Sequence, residues 1–277
     1  AAVKFDSLGR LHVLDTQAGE VVRVDIVNGD KEVVGRPEVG RDNLAFDNTD
    51  RLFVSSFADG SIAEVTGPET IRVVMAGGIN SPGGLAYLPS DNASGRLFLA
   101  DGSALRELDP VSGAEVHVAG GFSSDIGQVT SAHRHGEHLI LSNGAAVSIW
   151  DPGADRLVAR FEGFEECIDA LSYGDDIIVS QYGTGSVLRF HPASPDDRTT
   201  IAIGLDEPAG LAVHGNDLYV ADRSGTLFQI LDDGDTVVDV TISVVDASSD
   251  DAYDTVGDKT LAITNLDDDT AGFTLST

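Results

Sequence analysis

One unit recurs along this chain of 277 residues, and it restricts the possible folds more than any other feature. Asn43-Leu-Ala-Phe-Asp followed by Arg51-Leu-Phe-Val-Ser-Ser matches Gly210-Leu-Ala-Val-His-Gly followed by Leu218-Tyr-Val-Ala-Asp. Gly84-Leu-Ala-Tyr with Arg96-Leu-Phe-Leu-Ala-Asp is a third copy, and Val3-Lys-Phe-Asp with Leu11-His-Val-Leu-Asp a fourth. Ala132-His-Arg-His-Gly with Leu139-Ile-Leu-Ser-Asn, and Ala170-Leu-Ser-Tyr-Gly with Ile177-Ile-Val-Ser-Gln, are more divergent copies. The first apolar anchors, Val3, Leu44, Leu85, Ala132, Ala170 and Leu211, are separated by 41, 41, 47, 38 and 41 residues. A second set, Val13, Val54, Leu99, Leu141, Val179 and Val220, is separated by 41, 45, 42, 38 and 41. Two independent anchors keeping one period exclude chance alignment.

Each period reads as four short strands, near 43–48, 51–57, 61–66 and 70–76 in the second copy. Helical periodicity is absent. Four strands in about 40 residues predict an all-β fold, a six-bladed β-propeller of four-stranded antiparallel blades. Closing the ring also hides most sheet edges. A pair of β-sandwiches would not repeat at this interval. The expected propeller spans 1–232, with blades near 1–37, 38–78, 79–121, 122–164, 165–205 and 206–242. An acidic β segment follows over 233–277. Val237-Val-Asp-Val-Thr-Ile is a candidate outer strand for the last blade.

The net charge of −29 disfavours nucleic acid and anionic membrane surfaces as partners. No apolar run approaches the roughly 20 residues of a membrane span, so no membrane insertion is expected. Lysine occurs only at 4, 31 and 259. So acidic a surface suits a salty medium that screens self-repulsion, or binding of Ca²⁺ by part of the carboxylates. The single cysteine, Cys167, excludes an internal disulfide. The chain already reads as a strand at its start, so an upstream segment is expected to have been removed or left out. The expected location is secreted or cell-surface, within a longer precursor.

The segments Leu11-His-Val-Leu-Asp-Thr-Gln-Ala-Gly-Glu-Val-Val-Arg-Val and Pro208-Ala-Gly-Leu-Ala-Val-His-Gly-Asn-Asp-Leu-Tyr-Val-Ala-Asp resemble NHL repeats and the related gluconolactonase (regucalcin)-like propellers. The resemblance covers about 1–232 and implies a ligand site at one mouth of the central channel. Such repeats serve lactonases, lyases and binding modules alike. The tail strings Asp232-Asp-Gly-Asp-Thr-Val-Val-Asp-Val-Thr-Ile and Thr264-Asn-Leu-Asp-Asp-Asp-Thr-Ala-Gly-Phe-Thr resemble the closing hairpin of Calx-β domains, which implies Ca²⁺ between acidic loops. Asp232, Asp267 and Asp269 are the candidate ligands there, against a plain solvated acidic turn.

Two sets of positions reach the expected mouth. Those before each inner strand are Ala1, Asp42, Gly83, Thr130, Ile168 and Ala209. The gluconolactonase resemblance implies Asn or Asp metal ligands at several of them. Here only Asp42 qualifies, which puts metal-dependent lactonase chemistry in doubt. The ends of the second strands are Asp15, Ser56, Asp101, Asn143, Gln181 and Asp222, all polar. They read either as a polar ligand-binding ring or as short side chains that fix the next turn. Beside them stand Arg41, Glu165, Glu166, Asp206, Glu207, Tyr182 and Arg223. Close carboxylates can split into acid and base, and an arginine can clamp a carboxylate or sugar oxygen. Asp42, Glu165, Glu166, Glu207 and Arg223 are therefore the candidate catalytic set. Arg41, Ser56, Asp101, Asn143, Gln181 and Tyr182 are the candidate ligand-binding set, and Asp42 is also a candidate metal ligand.

His133, His135 and His138 form the one histidine cluster, read as a Zn²⁺ or Cu²⁺ site or as ordinary packed histidines. His133 replaces an alanine of sister units, which favours packing and hydrogen bonding. Adjacent carboxylates should keep Cys167 unreactive. There is no Gly-x-Ser-x-Gly elbow, no phosphate-cradling loop and no Cys-x-x-Cys pair. Two functions fit: a recognition module for a small molecule, carbohydrate or protein, or a lactonase, other hydrolase or lyase. No organic cofactor is expected. Neither the oligomeric state nor the ligand is legible in the sequence.

Overall fold

The computed structural model describes residues 2–90, 95–102, 104–119 and 127–230, with the backbone of 237–242 and 259–264. Among these residues there is no helix, and every strand pairing is antiparallel. Three sheets have four strands each. They are β1–β4 (Ala2–Phe5, Leu11–Asp15, Glu20–Val24, Lys31–Gly35), β5–β8 (Arg41–Phe46, Leu52–Ser56, Ile62–Gly67, Thr70–Met75) and β9–β12 (Pro82–Leu88, Arg96–Asp101, Ala104–Leu108, Glu115–Ala119).

The next sheet has seven strands: β13 (Ser131–His135), β14 (His138–Ser142), β15 (Gly144–Asp151), β16 (Arg156–Tyr173), β17 (Asp176–Gln181), β18 (Ser186–His191) and β19 (Ser194–Ile203). The 18-residue β16 is the last strand of one expected unit and the first of the next. A three-stranded sheet follows, β20 (Pro208–His214), β21 (Asp217–Asp222) and β22 (Leu227–Ile230). The expectation of six separate four-stranded sheets is thus corrected. Hydrogen bonding runs on through β16 where a break was expected. The predicted outer strand, β23 (Val237–Ile242), pairs with β24 (Lys259–Thr264) and not with β22.

The anchor residues found by period turn out to be cross-strand partners. Val3 faces Val13, Leu44 faces Val54, Leu85 faces Leu99, Ala132 faces Leu141, Ala170 faces Val179 and Leu211 faces Val220. Each pair stands where a first strand meets a second, so one apolar pair per period is the registration mark of its sheet. The strands β1, β5, β9, β13, β16 and β20 touch in that order, and β20 touches β1, so the innermost strands close a ring.

Between neighbouring units lies the core. Ala2, Leu14, Leu44 and Val54 fill one interface; Phe53, Leu85, Leu97 and Leu99 the next; Ala132, Leu139, Leu141 and Trp150 another. Further round, Cys167, Ala170, Val179 and Phe190 form a fourth, and Leu211, Leu218, Val220 and Phe228 a fifth. Val3, Leu11, Ala212, Tyr219 and Ala221 join the last unit to the first. Each large aliphatic or aromatic side chain buried there contributes roughly 1.5–3 kcal/mol. Sheets packed face to face around a ring have little room at the inner strands. A Cβ at Gly84 would lie 2.3 Å from the Ala132 nitrogen and 2.6 Å from the Ser131 Cα.

Candidate functional site

The mouth is shaped by bulges. Pairing jumps from Arg41–Ser56 to Asn43–Ser55, from Cys167–Gln181 to Asp169–Ser180, and from Pro208–Asp222 to Gly210–Ala221. Asp42, Ile168 and Ala209 are the extra residues, three of the positions expected to reach the channel. A bulge re-aims its side chain out of the ladder. Asp42 is the one that carries a functional group. It is exposed, and its carboxylate has no hydrogen bond or ion pair among the described residues. The protein walls around it nevertheless raise its pKa by desolvation.

At the ends of the second strands the side chains serve the turns. Asp101 accepts the Asn80 and Ser81 N–H groups and pairs with Arg106 at 2.6 Å. Gln181 accepts the Glu165 N–H at 2.9 Å and donates to Thr184 and Ser186. The Asp222 carboxylate holds the Asp206 and Thr226 N–H groups. Asn143 accepts the Ala146 N–H, and Ser56 reaches the Gly40 carbonyl. Of the two readings offered for this set, the turn-fixing one describes these contacts.

The next residue along is the one that meets solvent, because side chains alternate across a strand. Phe57, Tyr182 and Arg223 follow Ser56, Gln181 and Asp222. Each is pinned by its own N–H, to the carbonyls of Gly40, Glu166 and Asp206 respectively. Phe57 is 64% exposed. Sequence reasoning selected Tyr182 and Arg223 and missed Phe57; the signal for it was the same step of one residue.

Tyr182, Arg223 and Glu207 come together across two units. Arg223 donates to Glu207 Oε2 at 2.6 Å and to the Tyr182 hydroxyl oxygen at 2.8 Å. The Tyr182 hydroxyl, bonded to the Glu207 carboxylate, is raised in pKa, while Glu207 is lowered by Tyr182 and then by Arg223. Glu166 lies close by, its carboxylate over Gly183. Glu166 and Glu207 hold equivalent places, four residues before Ala170 and Leu211. Both have positive φ, 51° and 53°, where the second unit has Gly40 at 85°. A non-glycine residue there costs about 1–3 kcal/mol, a kind of strain that gathers at functional loops. Glu165 is exposed at the same edge.

Other expected residues stand elsewhere. Arg41 is buried, donating to the Pro37 carbonyl at 2.6 Å and the Ser61 hydroxyl at 2.7 Å, so it braces a loop and offers no clamp. Among the described residues no three His, Cys, Asp or Glu side chains converge as a metal site would require. Asp232, Asp267 and Asp269 lie outside the described residues. The three histidines take different partners: His135, cross-strand from His138, bonds the Ser172 hydroxyl at 2.7 Å, and His138 lies 3.9 Å from Asp151. Cys167 is fully buried, and burial followed by the Asp169 charge raises its pKa.

His133 has the most consequential surroundings. Its Nε2 lies 2.7 Å from Asp169 Oδ1, and the Lys4 Nζ stands 2.9 Å from Nδ1 and 2.6 Å from Nε2. β1 and β13 are three inner strands apart in either direction around the ring, so the Lys4–His133 contact spans its middle. At the register of Lys4 and His133 the other inner strands carry Ala45, Ala86, Leu171 and Ala212, apolar residues buried in the clusters between units.

Asp169 also accepts the Leu211 N–H at 2.8 Å and the Ala170 N–H at 3.0 Å. Burial alone would raise its pKa; His133, Lys4 and the Ser131 hydroxyl hold it well below the carboxylate range. Burial lowers His133, and it lowers Lys4 to about 8 against the pull of Asp169. An Nε2–H that donates to Asp169 leaves the Nδ1 lone pair as the acceptor for Lys4, whose Nζ lies within reach of both ring nitrogens. Counted along the strands, this relay lies about 10 Å below the level of Asp42. Neither Lys4 nor Asp169 was selected from the sequence, where they occupy strand positions that look like wall.

The chain matches no protein family, and no curated protein matches it. Solved structures do match in fold. A chain of a nidogen/laminin complex aligns with a TM-score of 0.64 at 16% identity, over 79% of this chain and 88% of that one. A streptogramin B lyase aligns at 0.59 and 9% identity, over 83% and 82%. A catalytically inactive virginiamycin B lyase from Staphylococcus aureus with Quinupristin aligns at 0.58 and 10%, over 86% of each. The fold is a β-propeller of antiparallel sheets.

Proposed function

We propose that the chain is a secreted or surface recognition module that binds a neutral, hydroxyl-rich ligand, a carbohydrate, at the channel mouth. The observation that carries this is the Tyr182–Arg223–Glu207 set, which offers donors and an acceptor within hydrogen-bond reach of one another on an exposed rim. Vicinal hydroxyls need both kinds of group side by side, and an aromatic rim residue such as Phe57 suits the apolar face of a sugar. Glu166 and the net charge of −29 oppose an anionic ligand. The test is a panel of neutral oligosaccharides followed by titration calorimetry. Arg223→Ala should weaken the best binder at least tenfold without changing the melting temperature. An empty panel at millimolar concentration, or equal binding by the variant, refutes the reading.

The finer architecture belongs to the same proposal. Six repeat units are supported by the six anchor pairs and the six interfaces, with β16 shared by two units, and their NHL and gluconolactonase-like kind by the resemblance of the sequence segments. An acidic Calx-β-like segment over 233–277 that binds Ca²⁺ rests on the sequence strings alone.

One observation favours a lactonase or lyase as the second reading. Asp42 is a carboxylate with a raised pKa at the mouth and no hydrogen bond among the described residues, as a general base requires. Lactone turnover that Asp42→Asn abolishes would establish it, and absence of turnover across a lactone panel would remove it.

A further inference from the structure

Lys4, His133 and Asp169 reproduce the arrangement by which proteins activate a nucleophile: a nucleophile in contact with a base, and the base oriented by a third group. Lys4 Nζ is 2.9 Å from His133 Nδ1 and 2.6 Å from Nε2, and Nε2 is 2.7 Å from Asp169. Asp169 is itself fixed by two backbone N–H groups, so the imidazole cannot turn without losing its bond to an anchored carboxylate. The three side chains come from β1, β13 and β16, and no shared turn or salt-bridge ladder demands their meeting. A purely structural tie between Lys4 and Asp169 would not need a histidine between them. Lys4 keeps partial exposure to solvent.

We propose that Lys4 is an amine nucleophile that condenses with a small neutral aldehyde or ketone entering the channel. The neutral amine attacks the carbonyl carbon, the C=O π bond opens, and a carbinolamine forms. His133 takes the proton released from nitrogen and returns it to the departing hydroxyl. Water leaves and a C=N bond remains, so the step needs no oxidant or reductant. Asp169 acts through His133, as a positioning residue that stabilises the imidazolium. A carbonyl compound fits better than an ester or lactone, because amine and ester give an amide that does not turn over. With the pKa at about 8, about one Lys4 in ten is neutral at pH 7, against a few in ten thousand for an ordinary lysine. This inference does not depend on the rim reading.

The test uses glycolaldehyde with sodium cyanoborohydride on the full chain, read by peptide mass spectrometry. The chain has three lysines, so Lys31 and Lys259 are internal references. At pH 7 Lys4 should be alkylated at least ten times faster than Lys31, with a rate that rises to a plateau through pH 8. His133→Gln should slow Lys4 labelling tenfold or more and leave Lys31 and Lys259 unchanged. Lys4→Arg should remove the fast site. Labelling of Lys4 no faster than Lys31 in the unmodified protein overturns the proposal, whatever the variants do. Equal labelling of Lys4 in His133→Gln overturns the role of the histidine.

Discussion

Replacing Asp169 with asparagine keeps the volume and removes the charge on which the axial relay depends. The wild-type carboxylate accepts from His133 at 2.7 Å, Leu211 N at 2.8 Å and Ala170 N at 3.0 Å, with its side chain 7% exposed. The amide can satisfy one side with its oxygen, but its NH₂ then faces a donor. A charge-assisted bond is worth about 1.5–3 kcal/mol, and an unsatisfied buried donor about 1–3 kcal/mol. The stranded ammonium of Lys4 limits the damage, because at a pKa of about 8 it sheds its proton near neutrality for about 1.4 kcal/mol per pH unit. The net cost of Asp169→Asn should be about 3–4 kcal/mol, within the range for breaking a buried pair. In a protein of this size that lowers the melting temperature by roughly 7–14 °C. Circular dichroism melts of Asp169→Asn, Lys4→Met and the double variant measure both the loss and the coupling. The double variant should cost about 1–3 kcal/mol less than the sum of the singles. A loss under about 0.5 kcal/mol for Asp169→Asn, or strict additivity, would show that the three groups do not act as one network.

Acidification should destabilise the protein from about pH 6.5 downwards. Burial lowers the pKa of His12 and His133 in the folded state, so the unfolded chain binds protons there that the native state refuses. Asp169, with its lowered folded pKa, adds a second loss below about pH 4. Lys4 acts at the other end, where its lowered pKa makes stability rise between about pH 8 and 10.4. Urea midpoints across pH 5 to 10 check the signs, and a flat profile between pH 7.5 and 5 contradicts the histidine assignment. Gly84→Ala should cost about 3 kcal/mol, since its Cβ would stand 2.3 Å from the Ala132 backbone nitrogen, which cannot move without shifting an inner strand. A change under about 1 kcal/mol would mean that the inner strands pack more loosely than described.

The repeat could be read from the sequence because it is local chemistry. An apolar anchor pair, a four-strand period and turn-forming Asp and Gly recur at one spacing, and Val3–Val13 through Leu211–Val220 are the pairs that register each sheet. Sequence also placed Asp42, Tyr182, Glu207 and Arg223 near one end of the strands, since strand ends follow from the period. It left two readings open at Ser56, Asp101, Asn143 and Gln181, because a turn-fixing side chain and a rim side chain look alike until the turn hydrogen bonds are known. It also expected a break where β16 runs on from one unit into the next, because a bulged strand and a loop share composition.

Lys4 and Asp169 gave no signal. They sit 165 positions apart on inner strands, and only closure of the ring sets them on opposite sides of one histidine. Period and polarity are properties of neighbours along the chain. The meeting of charges across an axis is a property of the closed circle, and only the packing of the sheets decides it.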